Sequence, residues 1–135
     1  MNASLPRRHR VLATVFLLSA IVWTWLLVVR DPLAILGLRG VLPRDIADAG
    51  HWDKLVHGGG YLGLMLVGGF AFGLRPRARA LGGLLLVGAV HGAAVEVAQW
   101  SLGSRHGDVV DWFADMAGLM IGFAVVEWRR RRRVV

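Results

Sequence analysis

The chain has 135 residues, 56% of them hydrophobic, with 18 glycines and a formal net charge of +7. That length allows one domain, and a mean hydropathy of +0.54 lies above the soluble range and points to a membrane. The absence of cysteine excludes a disulfide framework, a thiolate metal site and a cysteine nucleophile.

The first apolar stretch, residues 11–29, follows Arg7, Arg8 and Arg10. A signal peptide would have a shorter apolar run and a small-residue cleavage site, so this stretch, with Trp23 and Trp25, reads as a retained helix. In the connection 30–54, Pro32, Gly37, Gly40 and Pro43 break up short apolar pieces, which predicts a partly helical cap along the outer interface. Further apolar stretches cover 55–74, 80–100 and 109–128, the first two of these joined by a tight turn at 75–79. Each stretch has roughly the 20 residues needed to cross the hydrocarbon as a helix. The expected fold is all-α: a polytopic membrane protein, residues 1–135 forming one domain with four transmembrane helices in a bundle.

Basic residues set the orientation. Arg7, Arg8 and Arg10, then Arg75, Arg77 and Arg79, then the run 129–133 all fall on one side, accompanied by one acid, Glu127. That side is expected to be the cytoplasm, with both termini inside a bacterial plasma membrane. The arginine tail abuts a span, so it reads as a topology anchor and implies no nucleic acid. Trp52, Trp100 and Trp112 fall at outer helix ends, where an aromatic belt is expected.

Polar residues inside the spans cluster at the outer end. Lys54, His57 and Tyr61 share a face of the second helix, while Glu96 and Gln99 share one on the third with Gly88 and Gly92. Asp108, Asp111, Asp115, Gly118 and Gly122 occupy a single stripe of the fourth. Ionisable groups in a span cost about 2.5–3.5 kcal/mol each on insertion scales, so they face the bundle or a wet cavity. Gly69 with Gly73, Gly88 with Gly92, and Gly118 with Gly122 are small-residue pairs suited to close helix packing.

The run Asp53, Lys54, Leu55, Val56, His57 with Tyr61, then Glu96 and Gln99, then Arg105, Asp108, Asp111, Gly118 and Gly122 resembles the VanZ-like family of bacterial membrane proteins. The resemblance covers residues 53–122. One departure is Asp115, where the family usually carries asparagine. The resemblance implies a small envelope protein, with members linked to tolerance of the glycopeptide teicoplanin, and supplies no settled reaction.

For the carboxylates two readings stand side by side. Glu96, Asp108, Asp111 and Asp115, with His57, offer ligands to a magnesium, calcium or manganese ion. Alternatively Asp108 caps the fourth helix, Asp111 meets its dipole, and Arg105 and Lys54 neutralise the rest, which leaves Asp115 and Glu96 unexplained. His57 is expected to pair with Glu96, and His91, off that face, to be a satisfied packing histidine. Ser104, His106 and Asp108 are too close in one loop for a triad, and Gly58, Gly59 and Gly60 lack the ending of a phosphate loop.

The functional expectation is a VanZ-like protein whose outer-leaflet polar pocket binds an envelope lipid, head-group or lipid-linked ligand. The pocket residues are Lys54, His57, Tyr61, Glu96, Gln99, Arg105, Asp108, Asp111 and Asp115. Lys54 and Arg105 would hold anionic groups; His57, Glu96 and Asp111 would handle protons or a cation. The alternatives are a membrane enzyme using metal-assisted or acid-base chemistry on an envelope lipid, and a small proton-coupled carrier or flippase acting as a dimer. Oligomeric state and metal identity are not legible.

Overall fold

A computed structural model of the chain describes residues 7–29, 50–71, 78–103 and 108–132. Among them all regular structure is helical: α1 (Arg7–Val28), α2 (Gly50–Ala71), α3 (Ala78–Leu102) and α4 (Val109–Arg131). Three of these contain stretches long and apolar enough to cross a membrane, namely Arg10–Val28, Arg79–Leu102 and Val109–Arg131. The expected interfacial cap over 30–49, the turn residues 75–77, Gly73, and Ser104, Arg105 and His106 lie outside the described residues.

The helices outrun the expected spans. The sequence boundaries were fixed by apolar length, whereas hydrogen bonding continues wherever no breaker intervenes. Thus α2 starts at Gly50, five residues before the apolar stretch, and Asp53 and Lys54 belong to its opening turns. Likewise Arg79, expected in a turn, is helical. At its far end α3 stops at Gly103, whose φ of +58° is the left-handed conformation that glycine adopts without a Cβ clash.

α2 contacts all three other helices and lies closest to α4. Its polar first turns, with Asp53 and Lys54, leave it outside the three helices long and apolar enough to cross a membrane, which a helix lined by neighbours can tolerate. Tyr61, Met65, Leu27, Leu81, Val95, Leu119 and Val126 form the buried apolar core. Outward, α1, α3 and α4 expose large apolar side chains, among them Leu17, Ile21, Leu86, Val90, Val97, Met120 and Ile121. Inward they and α2 bury His57, Gln99, Asp111 and Asp115. Polar groups inside and apolar groups outside invert the soluble pattern.

Trp100 is exposed, as a belt residue would be. Trp112 departs from that expectation: it turns inward, and its indole Nε1–H donates to the Ala89 carbonyl at 3.1 Å, tying α4 to α3.

Candidate functional site

Glycines bring α2 and α4 close enough for the site to exist. A Cβ on Gly118 would collide with the Gly58 carbonyl, one on Gly58 would come to 3.0 Å from the Ala114 carbonyl oxygen, and one on Gly122 to 2.8 Å from Met65 Cβ. Only glycine permits this separation, as close-packed small-residue helix pairs require. The backbones therefore meet beside His57 on α2, and beside and one turn past Asp115 on α4. These two side chains are fully buried, and His57 Nδ1 lies 3.0 Å from Asp115 Oδ1.

This pairing corrects the expected one. Glu96 Oε1 stands 3.9 Å from His57 Nδ1, beyond hydrogen-bond distance. The reason lies in the backbone of α4: Glu96 Oε2 accepts the Asp108 N–H at 2.7 Å, so the start of α4 draws the carboxylate away. Glu96 thus shares in capping α4 from another helix. Asp108 is the N-cap, with φ −120° and ψ 118° and its side chain accepting from Val110 N–H.

Above the buried pair, Lys54 reaches across from α2 to both acids at the start of α4, 2.8 Å to Asp111 Oδ1 and 3.1 Å to Asp108 Oδ2. The Val110 N–H, then Lys54, hold the Asp108 carboxyl below its usual range. With its ammonium between two carboxylates, Lys54 is spoken for and does not present a free cation to an anionic group. The site grades from half-exposed Asp108 and Lys54 through nearly buried Asp111 and Glu96 to buried His57 and Asp115.

Two expected site residues turn elsewhere. Gln99 is buried, and its Nε2 donates to the Leu27 carbonyl at 2.8 Å, fastening α3 to the end of α1. The last turn of a helix leaves carbonyls without intrahelical donors, and Gln99 satisfies one. Tyr61 OH lies 2.7 Å from His91 Nδ1, and His91 Nε2 lies 2.8 Å from Thr24 Oγ1. The Thr24 hydroxyl donates to the Ala20 carbonyl, so it accepts from His91 Nε2–H, and Nδ1 accepts from Tyr61. A neutral His91 is thereby satisfied at both nitrogens. Thr24 and Leu27 carry no sequence signal beyond their place on an apolar helix.

Beneath the site an apolar cavity of about 240 Å³ opens among the four helices, bounded by Phe16, Leu64, Leu84 and Leu119, with Tyr61 and His91 among its walls. Two sets of side chains each bring one donor atom per residue within 4.8 Å of the others: His57, Glu96 and Asp115, and Asp53, His57 and Asp111. Arg105, an expected anion binder, lies outside the described residues. Acids outnumber bases in the described cluster, with Asp53, Glu96, Asp108, Asp111 and Asp115 against Lys54 and a titratable His57. Such a site attracts positive charge.

No family model, no curated protein and no solved structure matches the chain.

Proposed function

We propose that the chain is a VanZ-like integral membrane protein of the bacterial envelope, a bundle of four spans with both termini in the cytoplasm, whose outer-leaflet site binds the head group of an envelope lipid. The observation that carries the reading is the burial of His57 and Asp115 beneath the Lys54–Asp111 bridge. Buried charges on three helices at one depth cost stability, and folding alone gives no reason for them. The inverted exposure pattern and the three apolar helices support the membrane setting. α2 is the fourth span in this reading, its polar first turns facing the site. The link to teicoplanin comes from the resemblance alone.

Because Lys54 is paired and acids are in excess, the recognised part of the ligand is positively charged, such as an ammonium-bearing head group. This replaces the expectation that Lys54 holds an anion. Thermal unfolding of the purified protein, titrated with phosphatidylethanolamine or phosphatidylglycerol in detergent, tests it. Phosphatidylethanolamine should stabilise the wild type and leave Asp111→Asn unaffected; equal stabilisation by both lipids, or an unchanged response in Asp111→Asn, overturns the reading. Topology has its own check. Cysteine in place of Arg77 should resist an impermeant thiol reagent in intact cells, and cysteine in place of Asp48 should react; the reverse pattern contradicts the orientation.

One observation favours a second reading, acid-base catalysis on an envelope lipid. His57 is oriented by Asp115 through Nδ1, while its Nε2 is buried without a hydrogen-bond partner. A base held by a carboxylate on one nitrogen with the other available is the arrangement proton abstraction uses.

A further inference from the structure

His57, Glu96 and Asp115 converge below the Lys54 bridge, and the one hydrogen bond among them, His57 Nδ1 with Asp115 Oδ1, leaves an oxygen of each carboxylate without a partner. Asp115 has no exposed surface, yet its Oδ2 finds no hydrogen-bond partner, and the same holds for Glu96 Oε1. Orphaned carboxylate oxygens in a protein interior are rare, because each forfeits its hydration without recompense. His57 Nδ1 faces both carboxylates, 3.0 Å from Asp115 and 3.9 Å from Glu96. An ion bound at roughly 2.0–2.2 Å by nitrogen and oxygen ligands holds those ligand atoms about 3–3.5 Å apart, and the two observed separations bracket that range.

We infer that His57, Glu96 and Asp115 bind one divalent metal ion of the zinc or manganese class. Two carboxylates and a neutral imidazole sum to a charge of −2, which such an ion cancels in a place where uncompensated charge is costly. One imidazole with two carboxylates is a borderline donor set, suited to zinc or manganese more than to calcium, which takes six to eight oxygens. Three protein ligands leave a coordination position open. The neighbouring set of Asp53, His57 and Asp111 is a poorer host, since the Lys54 ammonium already neutralises Asp111 at 2.8 Å. Gly92 keeps the flank of the site clear: a Cβ there would come to 2.9 Å from Asp115 Oδ2.

This inference goes beyond the head-group reading and does not depend on it. The test uses the full chain in lipid-free detergent, stripped with a chelator and titrated with Zn²⁺, then with Co²⁺ as a spectroscopic probe. One ion per chain should bind, with a Co²⁺ absorption band of low coordination number. Glu96→Gln keeps an oxygen to accept the Asp108 N–H and should fold; it and Asp115→Asn should each weaken Zn²⁺ binding by at least about tenfold, the scale of even outer-shell losses. Glu127→Gln, at the far end of α4, should bind as the wild type does. Should Asp115→Asn fail to fold, Glu96→Gln decides alone. No saturable binding by folded wild type, or wild-type affinity in Glu96→Gln, overturns the inference; failure of phosphatidylethanolamine to bind leaves a positive metal result standing.

Discussion

The two ends of α4 carry the same chemistry to different purposes. At the C-terminal end Glu127 pairs with Arg130 at 2.5 and 2.6 Å and with Arg131 at 2.9 Å, one helical turn away, and Arg132 lies over the Trp128 ring at 4.1 Å. These partners are local in sequence and satisfied within one helix. At the N-terminal end Lys54 and His57 meet Asp108, Asp111 and Asp115 from more than fifty residues away, and several of the polar atoms there stay unpartnered. Pairs three or four residues apart on one helix contribute little to stability, whereas buried cross-helix charges are costly and commit the fold to one geometry. The C-terminal end is satisfied within one helix; the N-terminal end draws three helices together.

That contrast can be broken by substitution. The largest effect is expected from Asp115→Ala, which strands His57 in the interior and should cost about 3–5 kcal/mol, read as lowered thermal stability in detergent; a loss near zero would make the pair incidental. Gly118→Ala comes next. It drives a methyl into the Gly58 carbonyl, and overpacking of this kind costs about 1–3 kcal/mol; unchanged unfolding would show that α2 and α4 can separate freely. A smaller effect belongs to acid. The lowered Asp108 pKa gives a stabilising contribution that is present above the ordinary carboxylate range and lost as pH falls through the folded value. Lys54→Met should diminish that acid sensitivity, as followed by unfolding at several pH values between neutral and strongly acidic. Glu127→Gln should leave the unfolding midpoint unmoved, and a marked drop would erase the distinction between the two ends.

Much of this was legible in the residue pattern. Helical periodicity put His57, Glu96, Asp111 and Asp115 at one depth, because the spacing of side chains along a helix is fixed. The cap at Asp108 was legible too, since aspartate before an apolar run is a local signal. Partner choice was not. Whether His57 meets Glu96 or Asp115 depends on which helix lies nearer, and that follows from Gly58, Gly118 and Gly122 interlocking across two helices. Periodicity likewise grouped Gln99 with Glu96, but a side chain at the edge of a face can turn to the next helix, as Gln99 does to reach Leu27. The part α1 plays was not legible either, because Thr24 and a main-chain carbonyl are silent in a sequence; its bonds to His91 and Gln99 make it part of the scaffold.

The central claim is that the buried pair serves a ligand and not the fold. Replacing it with apolar residues of similar total volume, His57→Leu with Asp115→Ala, removes both charges together and leaves neither stranded. Thermal unfolding of this double variant beside Asp115→Ala is the most direct measurement. The account predicts that the double variant regains most of the stability the single one loses, as apolar replacement of buried ion pairs often does, while binding of phosphatidylethanolamine is lost. A double variant as unstable as Asp115→Ala, or one that still binds the lipid like the wild type, would contradict it.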